Sequence, residues 1–137
     1  MTPEERAEAL FKEGYNCAQA VLGAFYDTLG LTREQALALM APFGGGIGRT
    51  GETCGALIGL LTVYGAVSGG EDKQNKSVVS EKARSLIEAF RQEAGSVFCR
   101  ELKAKDAPHG ARPCPDLVKL AARLAEQQLK ERLSRND

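Results

Sequence analysis

The chain has 137 residues, and its 18 lysine and arginine residues balance its 18 aspartate and glutamate residues, so the net charge is zero. This length allows one domain with its own hydrophobic core, and the neutral balance lacks the basic surface of a nucleic-acid-binding protein. The first residues are polar and acidic, which argues against a secretory signal. We therefore expect a single domain (residues 1–137) that is cytoplasmic, binds no nucleic acid and does not insert into a membrane.

The N-terminal segment is predicted to be helical. Thr2 offers a capping hydroxyl, Pro3 suits the first helical position, and acidic residues follow in the first turn. Apolar residues then recur at helical spacing and place Cys17 on the inward stripe. Asn16 is also a good cap, so the pattern leaves open whether one helix or two precede the next turn.

A glycine-rich loop follows a short predicted helix. Thr32 and Gln35 have capping-box spacing, so this helix is predicted to run from there to about Met40 and to end before a proline. The loop at 44–48 could hold an anion on its backbone N–H groups, but it lacks the Gly-Lys-Ser/Thr ending of a phosphate loop. We expect its glycines to allow a close backbone approach to Cys54.

Residues 53–70 contain no Asp, Glu, Lys, Arg or His. A helix that is apolar all round has no face for water, so this stretch predicts a buried central helix over about 53–68. It is too short and too interrupted by glycine for a membrane span. Gly55 and Gly59 lie one turn apart, where a bound group or a second backbone could come close. The candidate cofactor-binding glycines are therefore Gly45, Gly46, Gly55 and Gly59.

The last third of the chain predicts a long amphipathic helix over about 76–94, a short helical turn that contains Cys99, and a final helix. A loop rich in proline and glycine separates the last two elements and contains His109. This histidine could serve as an extra ligand or proton carrier; the alternative is that it faces solvent and has no functional role. No stretch shows sustained strand alternation. We expect an all-α bundle of about five or six helices around the buried helix.

Two of the four cysteines fall at predicted helix starts. Cys54 begins the buried helix, and Cys114 precedes Pro115, which suits the first position of the last helix. The unpaired N–H groups and the dipole at a helix start favour a thiolate and lower a cysteine pKa below its free value of about 8.5. The alternative for each cysteine, and more strongly for Cys17, is that it packs in the core as a small apolar residue.

The cysteines occur in the order Cys17, Cys54-Gly55-Ala56-x-x-Gly59, Cys99 and Cys114. With the sequences at 16–21 and 43–48, this order resembles the redox-active protein family named for its C_GCAxxG_C_C pattern, across essentially the whole chain. The resemblance implies a small bacterial or archaeal protein. A related domain accompanies haem in a split-Soret type cytochrome, where an iron–sulfur cluster is suspected. This chain has no Cys-x-x-Cys-His haem site.

Three hypotheses follow for the cysteines. Cytosolic thiols are kept reduced, so the first hypothesis is a thiol redox centre in which Cys54 or Cys114 is the low-pKa nucleophile and a neighbouring cysteine resolves it. All pairings stay open, although Cys99 and Cys114 are close in sequence. The second hypothesis is a metal site, with an iron–sulfur cluster favoured over zinc. The third is a helical interaction domain with inert thiols.

The candidate residues are the same in the first two hypotheses, as catalytic thiols or as metal ligands: Cys17, Cys54, Cys99 and Cys114. The sequence does not specify the substrate, the redox partner or the oligomeric state, for which a homodimer is one option. It also does not decide whether the protein is an enzyme.

Overall fold

The computed structural model describes residues 1–106 and 110–136, and within them the chain forms seven α-helices and no strand. The helices are α1 (Pro3–Lys12), α2 (Cys17–Gly23), α3 (Arg33–Met40), α4 (Gly55–Val67), α5 (Lys76–Ala94), α6 (Cys99–Leu102) and α7 (Cys114–Asn136). The all-α prediction is confirmed, with seven helices where five or six were expected. None of the helices in the described ranges is long and apolar enough to cross a membrane.

Asn16 separates α1 from α2. Its side chain accepts a hydrogen bond from the backbone N–H of Gln19 at 2.8 Å, and the Gln19 side chain accepts one from the backbone N–H of Asn16 at 3.0 Å. This reciprocal capping box satisfies two N–H groups at the helix start, so two helices form where one was also possible. Thr32 and Gln35 make the same arrangement before α3, as predicted.

Helix α4 packs against α2, α5 and α7 and occupies the centre of the molecule in its first half. The side chains of Leu57, Leu60 and Val63 are fully or almost fully buried. Near the C-terminal end of the helix, Gly65 and Ala66 are exposed. The predicted buried central helix is therefore confirmed for its N-terminal half, whereas its last turns reach the surface.

Glycines let α2 approach α4 closely. A Cβ atom added at Gly59 would lie 2.7 Å from the Cβ of Val21, and one added at Gly55 would lie 2.6 Å from the carbonyl oxygen of Phe43. Each glycine thus fills a place where a larger residue would collide with protein. The space beside these two candidate cofactor-binding glycines is occupied by α2 and by the turn that follows α3.

Two features bring the C-terminal elements to the start of α4. Helix α5 ends at Ala94, as predicted, because Gly95 adopts a left-handed conformation with φ of 99°. Beyond it, Phe98 forms an isolated antiparallel bridge with Thr53. This bridge places the beginning of α6 beside the beginning of α4.

Candidate functional site

All four cysteines lie at the beginnings of helices. Cys17, Cys99 and Cys114 are the first residues of α2, α6 and α7, and Cys54 is the N-cap of α4. The sequence predicted this position for Cys54 and Cys114 and left it open for Cys17. Helix starts present unpaired N–H groups and the positive end of the dipole, which favour negative charge on sulfur.

Backbone hydrogen bonds hold two of these helix starts together. The N–H of Cys54 donates to the carbonyl of Val97 at 2.8 Å, and the N–H of Cys99 donates to the carbonyl of Glu52 at 2.7 Å. The other two helices, α2 and α7, pack on each other and on α4. The fold therefore brings the four cysteines, which are widely spaced in sequence, into one region.

Cys17 and Cys114 line the same cleft, and a hydrogen-bonding interaction between their thiols is the largest influence on the pKa of each. This interaction and the ammonium group of Lys103 lower the pKa of Cys114 to about 6, although partial burial acts in the opposite direction. The same interaction, together with burial, raises the pKa of Cys17. The pair therefore favours the negative charge on Cys114 and the proton on Cys17.

Lys103 is a site residue that the sequence analysis missed. Burial alone would lower its pKa, but its interaction with Cys114, supported by weaker electrostatic interactions with Cys99 and Cys17, raises it. The ammonium group thus stays charged beside the sulfurs. A signal was present in the sequence, because Lys103 lies four residues after Cys99, a spacing that places two side chains on one face of a helical turn.

The prediction that Cys54 has a lowered pKa is wrong. Its side chain is only 3% exposed, and this burial raises the pKa of the thiol to about 11. The backbone N–H groups of Ala56 and Leu57 lower the pKa, as expected at a helix start, but their effect is smaller than that of burial, to which interactions with Cys99 and Cys114 add. At Cys54 the cost of removing the thiolate from water is larger than the stabilisation that the helix start provides.

A cleft of about 840 Å³ opens beside the sulfurs. Three of the cysteines line it, namely Cys17, Cys99 and Cys114. Cys114 is half-buried, whereas Cys17 is 8% exposed and Cys54 lies in the core. Cys114 is thus the thiol of the hydrogen-bonded pair that a molecule in the cleft can reach most easily.

The glycine-rich loop forms one wall of this cleft in a left-handed conformation. Five consecutive residues, 45–49, have φ between 61° and 75°, including the non-glycine residues Ile47 and Arg49. Gly45 lines the cleft, while a Cβ at Gly46 would lie 2.7 Å from the Cβ of Cys99. The close approach of this loop to a cysteine is therefore made to Cys99, where the prediction named Cys54.

A metal centre finds no support in the described part of the chain. No set of three or more His, Cys, Asp or Glu side chains there is arranged to hold a metal ion. Tetrahedral zinc and iron–sulfur clusters usually take four protein ligands. The four cysteines are thus close enough to influence one another's charge without forming such a set. His109, the candidate extra ligand, lies outside the described residues.

Comparison with known protein families gives one match. The profile of the family described as "Putative redox-active protein (C_GCAxxG_C_C)" matches residues 15–128. That range contains all four cysteines, the glycine-rich loop and helices α2 to α6. Comparisons with curated proteins and with solved structures found no match.

Proposed function

This chain belongs to the C_GCAxxG_C_C family, and we propose that it exchanges electrons by thiol–disulfide exchange through Cys17 and Cys114. The observation that carries the proposal is that Cys17 and Cys114 line the same open cleft, where each sulfur is the largest influence on the pKa of the other. Exchange requires one thiolate to attack and a second thiol within reach of the first. The pair offers both.

The two cysteines are suited to different roles. Cys114 has a lowered pKa and is half-buried, so we assign it the attack on a disulfide in the cleft. Cys17 is more buried and keeps its proton, so we assign it the second attack, on the mixed disulfide at Cys114. Lys103 stabilises the thiolate before the attack. We assign no step to Cys54 or Cys99.

Mapping the disulfide after mild oxidation tests this proposal. Reduced protein would be treated with a small disulfide, its remaining thiols alkylated, and the protein digested with trypsin. Lysine or arginine residues separate all four cysteines along the chain, so each cysteine falls in its own peptide. We expect mass spectrometry to find the Cys17 and Cys114 peptides joined and the other two alkylated.

Two variants separate the assigned roles. Cys17→Ser should accumulate the mixed disulfide at position 114, because attack still occurs and resolution does not. Cys114→Ser should form neither the mixed disulfide nor the internal one. A disulfide between Cys99 and Cys114, the pair closest in sequence among those considered, would contradict the assignment of Cys17. If none of the four thiols reacted with the small disulfide, the exchange function would be rejected.

A further inference from the structure

The cleft beside the cysteines concentrates positive charge in a chain whose net charge is zero. Arg49, Arg100 and Lys103 line it, and none of the described residues that line it is an aspartate or glutamate. Lys103 interacts with the sulfurs, whereas the two arginines lie on the glycine-rich loop and on α6. The arginines have no role in the exchange steps assigned above.

Both arginine side chains begin close to glycines of the loop. A Cβ atom at Gly45 would lie 2.9 Å from the Cα and Cγ atoms of Arg49, and one at Gly51 would lie 3.1 Å from the Cβ of Arg100. Both glycines have positive φ and both line the cleft. The stems of the two side chains thus begin in contact with the cleft wall.

Both guanidinium groups retain hydrogen-bonding capacity. Arg49 forms no ion pair with the described residues. Arg100 lies 3.3 Å from a carboxylate oxygen of Glu52, but the two side chains are 57% and 53% exposed, so solvent weakens the pair. The Arg100 guanidinium also stacks on the Phe98 ring, with its central carbon 5.2 Å from the ring centre. A guanidinium carries five N–H donors, so one ion pair and one ring contact leave most of them available.

We infer that the cleft binds a low-molecular-weight disulfide that carries carboxylate groups, with Arg49 and Arg100 receiving the carboxylates. Guanidinium groups match carboxylates through paired hydrogen bonds. The cleft volume of about 840 Å³ falls within the range of about 300 to 1,000 Å³ typical of small-molecule sites. This inference rests on the proposed exchange function and specifies its substrate class.

The reaction needs no further reagent. The Cys114 thiolate attacks one sulfur of the substrate, a mixed disulfide forms, and the other half of the substrate leaves as a thiolate. Cys17 gives its proton to that leaving thiolate and then attacks the Cys114 sulfur, which releases the second half as a thiolate. The protein loses two electrons and gains the Cys17–Cys114 disulfide, while the substrate becomes one thiol and one thiolate.

The test compares three small disulfides that differ in charge. Reduced protein would be mixed with dithiodipropionate (dianionic), bis(2-hydroxyethyl) disulfide (neutral) or cystamine (dicationic), and the rate of protein oxidation measured. Each rate is divided by the rate at which dithiothreitol, a neutral dithiol, reduces the same compound, which removes differences in intrinsic reactivity. We expect the anionic compound to react fastest, with an advantage that shrinks as salt screens the charges.

Substitutions at the arginines then locate the effect. Arg49→Gln and Arg100→Gln should each lower the anionic-to-neutral rate ratio by roughly two- to fivefold, the range for exposed charge pairs. Arg49→Lys keeps a positive charge, so it should lower this rate ratio less than Arg49→Gln does. Arg84→Gln removes a cation on α5 that lines a different groove, so the ratio should not change.

The outcomes separate the two proposals. Equal normalised rates for all three compounds would leave exchange in place and overturn the inference about carboxylates. Preference for the anionic compound that survives both glutamine substitutions would overturn the assignment of the arginines. Failure of every compound to oxidise the protein would reject the exchange function and the inference with it.

Discussion

The side chains of Cys17 and Cys114 meet in one cleft at the beginnings of α2 and α7, where a hydrogen-bonding interaction between them favours the proton on Cys17 and the negative charge on Cys114. This contact lowers the pKa of one sulfur and raises that of the other. The accessible sulfur is thereby the charged one, and the buried sulfur keeps its proton. Both protonation states are those that the first step of thiol–disulfide exchange requires.

Removing the donor should make Cys114 less acidic. In Cys17→Ala the pKa of Cys114 should rise from about 6 towards the free value of about 8.5, because the thiolate loses its hydrogen bond. The pH dependence of alkylation at Cys114, followed by mass spectrometry, measures this pKa. Cys17→Ser keeps a hydroxyl donor and should show a smaller rise. An unchanged profile in the alanine variant would mean that the bond does not set the pKa.

Lys103 should contribute to the same effect. Lys103→Gln should raise the pKa of Cys114, because the thiolate loses both a hydrogen-bond donor and a neighbouring positive charge. Lys103→Arg keeps the positive charge and is the matched control. Alkylation profiles again provide the measurement. An unchanged pKa in Lys103→Gln would show that the ammonium group does not stabilise the thiolate.

The stability of the reduced protein should depend on pH. The folded pKa of Cys114 is about 6, while a free thiol titrates near about 8.5, so the unfolded chain binds more protons between these values. The free energy of unfolding should therefore rise with pH across that window. Above it the sign reverses, because the raised pKa values of Cys17 and Cys54 keep protons on the folded chain.

Urea unfolding of reduced protein at a series of pH values measures this curve. Cys114→Ser should flatten the rise on the acid side, because serine does not titrate there. If the wild-type protein instead became less stable between about pH 6 and 8.5, the lowered pKa of Cys114 would be contradicted.

Two glycines in α4 should respond to alanine in opposite ways. Gly59→Ala would place a Cβ 2.7 Å from the Cβ of Val21, and such overpacking typically costs about 1 to 3 kcal/mol, which the helix propensity of alanine offsets only in part. Gly65 is exposed and has no atom within 4 Å of its Cβ position, so Gly65→Ala should stabilise the protein by about 0.5 to 1 kcal/mol. Urea unfolding compares the two, and equal effects would argue against close packing at Gly59.

Metal removal should leave the fold unchanged. The described residues contain no set of ligands arranged for a metal ion, so protein purified without oxygen should melt at the same temperature with and without a chelator. A visible spectrum and analysis for iron, zinc and sulfide accompany the melting curves. Stoichiometric metal together with a lower melting temperature in chelator would favour the metal-site hypothesis over the exchange pair.

Local patterns predicted most of the helices. The capping pairs before α1 and α3, the amphipathic repeat of α5 and the uncharged run of α4 each depend on interactions within a few residues. For that reason these helices could be predicted from the sequence alone. At Asn16 the local sequence did not decide the structure, because it was compatible with both a helix cap and a continuous helix. In the structure Asn16 is a cap, and α2 packs against both α1 and α4.

The sequence by itself determined that four cysteines in the family order stand on an all-α chain and that Cys54 and Cys114 begin helices. Only the tertiary structure decided which thiol is acidic. Burial and neighbouring charge depend on what surrounds a sulfur in space, so Cys54 in the core and Cys114 beside Cys17 and Lys103 have opposite pKa shifts at similar local positions. The cationic cleft likewise exists only after the loop, α6 and α7 meet.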